Sequence, residues 1–97
     1  DRLGQANVLR GLGDLESKLG RNDQARAAYQ QAETFYKQED NRLGQANVLR
    51  GLGMLSDQTT DRAVRYLSQA ALLYEAIGME GQQKGVLDVL DALQASQ

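Results

Sequence analysis

The chain has no cysteine, no histidine, no proline and no tryptophan, and its aromatic residues are four tyrosines and one phenylalanine. Without cysteine there are no disulfides and no thiolate metal sites. Without histidine as well, the usual general bases, nucleophile partners and transition-metal ligands are missing, which leaves carboxylates as the remaining catalytic candidates. Asp14 with Glu16 and Asp88 with Asp91 stand two and three residues apart, spacings common on solvated helix faces, and neither pair sits in an oxygen-rich loop of the calcium-binding kind. The expectation is a protein that is not an enzyme and uses no cofactor and no metal. Long apolar runs are also absent: no stretch approaches the roughly 18 residues of a membrane span, and the opening DRLGQAN lacks the charged-then-apolar layout of a signal peptide. No membrane partner is expected, and a cytoplasmic location is the default. Charge of one sign is not clustered either. The formal net charge of -2 comes from interspersed acids and bases, with Arg10, Arg21, Arg26 and Lys37 diluted by Asp14, Glu16, Asp23, Glu33 and Glu39. A nucleic-acid partner, which needs a clustered basic footprint, is not expected.

What is present is an internal repeat. The block RLGQANVLRGLG at Arg2–Gly13 returns letter for letter at Arg42–Gly53, a period of 40 residues. Self-similarity at such a period marks an array whose units are too small to bury their own apolar faces and stack on one another. Gln, Ala, Leu, Glu and Arg dominate the composition, so the array is built of helices. With few aromatics, the core must come from Leu, Val, Ala and the tyrosines, and small residues imply helices that approach closely.

Apolar residues recurring at three- and four-residue steps predict the first helix over Leu3–Leu19, with Leu3, Ala6, Val8, Leu9, Leu12, Leu15 and Leu19 on one stripe and Asp1 as its cap. Gly20 ends it, and Asn22 or Asp23 opens a second helix over Asp23–Glu39 with Ala25, Ala28, Tyr29, Ala32, Phe35 and Tyr36 inward. Asp40 and Asn41 cap a third, Leu43–Asp57. The fourth runs Asp61–Ile77 from Thr60 or Asp61, with Ala63, Leu67, Ala70, Leu73, Tyr74 and Ile77 inward, and Gly78 stops it. A shift of 38 residues aligns Asp23 with Asp61, Ala32 with Ala70 and Tyr36 with Tyr74, so the second hairpin has lost two residues in its turn. The same shift carries Val48, Leu49 and Leu52 onto Val86, Leu87 and Leu90, identifying Glu80–Ala95 as a third copy of the first helix.

Leu12-Gly13, Gly20, Ala25, Tyr29 and Ala32 together resemble the tetratricopeptide repeat: a Leu-Gly pair in the first helix, Gly at the turn, then Ala, an aromatic and Ala in the second. The 40-residue period and the DRLGQAN junction are similar to the longer subclass found in kinesin light chain and in bacterial and fungal multi-repeat adaptors. The resemblance implies an all-α fold, antiparallel helix hairpins stacked as a short right-handed solenoid of about five helices, in one repeat domain over residues 1–97. Its parts are a first repeat at 1–40, a second at 41–78 and a terminal half-repeat helix at 79–97, together a piece of a longer protein. Departures include Leu9, Glu16 and Lys37 at positions where shorter repeats often carry Trp, Tyr and Pro, and Asp91 where the last Leu-Gly pair would have its glycine.

In proteins of this resemblance the first helices line a concave groove that binds a peptide or helix of a partner protein. That places Asn7, Arg10, Gly11, Asp14 and Lys18 on the groove from the first helix. Asn47, Arg50, Gly51, Met54 and Asp57 follow from the third, and Gly85, Asp88, Val89 and Ala92 from the last. Asn7/Asn47 and Arg10/Arg50 form a two-rung ladder in which Asn pairs with peptide backbone and Arg grips a carboxylate, suiting a segment with acidic residues. Gly11 and Gly51 either admit a ligand or let a neighbouring helix approach. The family's clamp for a carboxylate-ending chaperone tail is not carried here: Asp14 stands where its Asn is expected, and Asp88 puts negative charge near a terminal carboxylate. A second reading is structural self-assembly, since the exposed end of one molecule resembles its own internal interface.

Overall fold

A computed structural model describes residues 1–96, which form five helices and no strand: α1 (Arg2–Lys18), α2 (Asn22–Gln38), α3 (Arg42–Gly53), α4 (Thr60–Ala76) and α5 (Glu80–Ala95). The expected end of the last unit at Gln97 lies outside the described residues. Each helix packs on the next in chain order, as a stacked array of hairpins requires.

The ends follow local chemistry. Asp1 and Asn41 each accept the amide of the residue three positions on, Gly4 and Gly44, through the side chain, and Thr59 does the same for Arg62. Gly20 (φ 76°) and Gly78 (φ 77°) take the left-handed conformation that closes a helix without steric cost, as their positions predict. Asp40 (φ 50°) takes that role at the end of α2, where no glycine is present. Two expectations fail. Neither Asn22 nor Asp23 caps α2; both lie within its first turn, and the preceding Arg21 makes no side-chain cap. The third helix stops at Gly53 instead of Asp57, because the shortened turn must reach α4 sooner. Its freed carbonyls are taken by the Gln58 carboxamide, which donates to Leu52 O at 2.7 Å and Leu55 O at 3.0 Å. The turn is tied to α2 by Arg26, whose guanidinium meets the Asp57 carboxylate at 2.5 Å.

The core consists of two clusters. Ala6, Ala25, Tyr29, Ala32 and Tyr36 join Val48, Leu52 and Leu55 between α1, α2 and α3; Ala46, Leu49, Leu67, Ala70, Ala71 and Tyr74 join Val86 and Leu90 between α3, α4 and α5. Val86 and Leu90 are buried like their counterparts Val48 and Leu52, whereas Leu87, the counterpart of buried Leu49, is exposed.

The expected stripe of α1 is the main correction. Identical residues have opposite fates: Val8 is 72% exposed and Val48 0%, Leu12 44% and Leu52 1%, Leu15 53% and Leu55 4%. Leu3 and Leu19 are exposed as well, and Ala6 is the apolar residue of the stripe that is buried. The reason is positional. α3 lays this face on α2, whereas α1 has no described helix on that side.

The glycines explain how closely the helices meet. A Cβ on Gly13 would stand 2.6 Å from the Tyr29 ring, on Gly44 2.2 Å from the Tyr36 ring, on Gly51 2.6 Å from the Tyr29 ring and on Gly53 2.6 Å from Leu67. A helical glycine costs about 1 kcal/mol relative to alanine, whereas burying a large apolar side chain contributes about 1.5–3 kcal/mol. The exchange favours the ring. At Gly11, the copy of Gly51, an added Cβ meets nothing within 4 Å. Gly11→Ala is therefore expected to raise stability by about 0.5–1 kcal/mol, and Gly51→Ala to lower it by about 1–3 kcal/mol through overpacking against Tyr29. Thermal or urea unfolding of the two single variants gives the comparison, and equal effects of the same sign would refute the packing account.

Candidate binding groove

The faces of α1, α3 and α5 that are not spent on packing carry two adjoining hollows. The smaller, about 280 Å³, is lined by Arg10, Asp14, Ser17, Lys18 and Tyr29 on one side and Asn47, Arg50, Gly51 and Met54 on the other. The larger, about 570 Å³, shares Arg50 and Met54 and continues along Leu67, Gly81, Gln82, Gly85, Val86 and Val89. Arg50 and Met54 form the ridge between a polar compartment and an apolar one.

Of the residues expected on a groove, Arg10, Asp14, Asn47, Arg50 and Met54 come together in the smaller hollow, with Lys18 and Gly51 beside them. Gly85 and Val89 line the larger one. Asn7 and Asp88 line neither, and nor do Gly11, Asp57 and Ala92. Asp88 is held by Lys84, one turn earlier on the same helix, at 3.4 Å. Asp57 is drawn back to Arg26 because α3 ends before reaching it. Gly51 proves to be a packing position under Tyr29. Gln82 and Gly81 were not anticipated on the groove. Gln82 is the copy of Gly44 under the 38-residue shift, a correspondence that marks it as facing the preceding hairpin.

The asparagine ladder has a different use from the one its chemistry first suggests. Tyr36 donates its hydroxyl to Asn7 Oδ1 at 2.5 Å, and Tyr74 donates to Asn47 Oδ1 at 2.5 Å, each bond crossing from the second helix of a hairpin to the first. Tyr29 likewise donates to Asp14 Oδ1 at 2.5 Å. Each carboxamide oxygen thus accepts one tyrosine hydroxyl, and of the two asparagines Asn47 lines the hollow, where its NH₂ can donate. A signal for this was present in the sequence: Asn7 with Tyr36 and Asn47 with Tyr74 recur together, their separations of 29 and 27 differing by the two residues lost from the turn.

Charge in the smaller hollow is biased. Arg10, Lys18 and Arg50 face a single carboxylate, Asp14, in a chain whose formal net charge is -2. Among the described residues none of these three cations forms an ion pair. Arg50 lies over the Tyr74 ring, 5.8 Å from its centroid, which steers its guanidinium without neutralising it.

Burial pushes the Tyr29 phenol well above its ordinary pKa of 10.0, reinforced by its bond to Asp14 and that group's charge, and opposed by Arg50 and Arg10. Burial raises Tyr36 and Tyr74 in the same direction. The unfolded chain releases these protons first, so the stability they contribute is complete below about pH 10 and is lost as pH rises above it. Tyr29→Phe is expected to flatten the fall in melting temperature between pH 9 and 11.5 on the order of one ionisation's worth. A fall parallel to that of the unaltered protein, followed by circular dichroism, would contradict this assignment.

The family model described as tetratricopeptide repeat matches residues 4–76, from the first helix through the fourth. Comparisons with curated proteins and with solved structures returned no match. With that match over most of its length, and with five helices stacked as repeating hairpins, the chain belongs to the tetratricopeptide repeat family.

Proposed function

We propose that the protein is an interaction scaffold that holds an acidic peptide or helix of a partner protein along the faces of α1, α3 and α5. Membership of a family of protein-interaction modules supports a protein as the partner. The single observation that carries the finer reading is the unpaired cation cluster Arg10, Lys18 and Arg50 around one hollow of an otherwise acidic chain. Guanidinium groups bind carboxylates bidentately, and two arginines on successive first helices present such forks at neighbouring positions of a groove. Asp14 cannot neutralise all three, and its oxygen is already shared with the Tyr29 hydroxyl. Asn47 Nδ2 is left to donate to a peptide carbonyl, and Met54 with the apolar hollow beyond it takes an uncharged side chain of the same segment. No helix among the described residues is long and apolar enough to cross a membrane.

Arg10→Glu combined with Arg50→Glu is expected to abolish retention of acidic peptides from an immobilised random peptide library, or weaken it at least about 100-fold, as loss of two charge-assisted contacts implies. The variant's unfolding midpoint should move by no more than the equivalent of about 1 kcal/mol, because Arg50 is exposed, Arg10 is half-buried without an ion pair, and the Arg50–Tyr74 contact is modest. Isothermal titration with selected peptides checks the affinity. Unchanged affinity in a folded double variant would remove the groove reading.

A further inference from the structure

Cations are disfavoured at the start of a helix, where free amides already present a positive end. α4 nonetheless carries Arg62 and Arg65 in its first two turns, both exposed. Asp61 stands four residues before Arg65, the spacing and order at which a carboxylate and a guanidinium on one helix ordinarily meet. That pair is not formed, and among the described residues neither arginine makes any ion pair. The two guanidinium side chains instead wall a hollow of about 310 Å³ together with Tyr66 and Gln69, one turn and two turns further along the same face.

Two further observations bear on that hollow. Tyr66 packs its ring against both core clusters, which anchors the side chain, yet among the described residues its hydroxyl has no partner. Tyr29, Tyr36 and Tyr74 each donate theirs to an Asp or Asn side chain. The hollow is also particular to this hairpin. Under the 38-residue shift Arg62, Arg65, Tyr66 and Gln69 correspond to Gln24, Ala27, Ala28 and Gln31 of α2, so neither the cations nor the ring comes with the repeated unit.

The donors around the hollow suit an anion larger than a carboxylate. Two guanidinium forks, a phenol and a carboxamide face a carboxylate's two oxygens and single charge in excess; a phosphomonoester offers three terminal oxygens and nearly two negative charges at neutral pH. An anionic membrane or a nucleic acid requires an extended basic field, which a chain of net charge -2 does not present.

We infer that the hollow formed by Arg62, Arg65, Tyr66 and Gln69 binds a phosphomonoester carried on a side chain of a partner polypeptide. None of the four lines either hollow of the groove, so the site stands or falls independently of the groove reading.

The probes are phenyl phosphate, benzoate and the peptide Gly-Gly-Ser-Gly-Gly with its serine phosphorylated or free. Each is titrated into the intact protein well above about pH 6, where the phosphate loses its second proton, with amide chemical shifts as readout. Phenyl phosphate and the phosphorylated peptide are expected to perturb amides around Arg62–Gln69 saturably, at least about tenfold more tightly than benzoate or the free peptide. Arg62→Gln with Arg65→Gln, both exposed, should abolish the response. Tyr66→Phe, which keeps the ring in the core, should weaken it about tenfold. No saturation by about 10 mM phenyl phosphate, or equal affinity for benzoate, would overturn the inference. So would perturbations that persist without Arg62 and Arg65 and vanish in the Arg10→Glu, Arg50→Glu variant, which would place the anion in the groove. Saturation by phenyl phosphate and not by the phosphorylated peptide would give the site to a small molecule. Retention on phosphatidylcholine vesicles doped with phosphatidic acid, again without binding of that peptide, would give it to a membrane, and either result overturns the assignment to a polypeptide.

Discussion

A tyrosine ring laid directly on a glycine backbone is the contact on which this array depends. Tyr29 is wedged between Gly13 of its own hairpin and Gly51 of the next, so one side chain joins both the hairpin and the stack. Its hydroxyl still reaches Asp14, which satisfies the polar end that burial would otherwise leave unpaired. Tyr36 repeats the arrangement with Gly44 and Asn7. Because the ring needs a surface without a Cβ, the helices come close enough for alanines 6, 25 and 32 to be fully buried. A chain with one phenylalanine and no tryptophan thereby obtains a continuous core.

That packing also sets the groove. The tyrosine hydroxyls each bond one oxygen of Asn7, Asn47 and Asp14, which orients these side chains. The remaining surface of α1 and α3 is rich in donors and cations, and Arg50 is steered over Tyr74 at the boundary with the apolar hollow beside α5.

The loss of two residues between α3 and α4 shows how local chemistry yields to connection length. α1 and α3 open with the same twelve residues, yet α3 stops at Gly53, since the chain must cross to α4 in a shorter span and Gln58 supplies the bonds that a longer helix would have made itself. Helix propensity beyond Gly53 was legible and was overruled. Asp57 consequently pairs with Arg26 and leaves the groove.

Read alone, the residues determined a great deal: five helices, their order, the left-handed ends at Gly20 and Gly78, and the equivalence of α1, α3 and α5. Each of these is encoded by spacing along one chain, through 3.6-residue periodicity, cap chemistry and repetition. Burial was not encoded in that way. Val8 and Val48 have identical neighbours in sequence, and the difference between them lies in whether another helix stands opposite. The same holds for Gly11 and Gly51, for the engaged oxygens of the asparagine ladder, and for Asp88, which periodicity aimed at the groove and the fold leaves beside Lys84. Periodicity tells which residues share a face; only tertiary packing decides what that face meets, because burial is a property of two surfaces and a sequence pattern describes one.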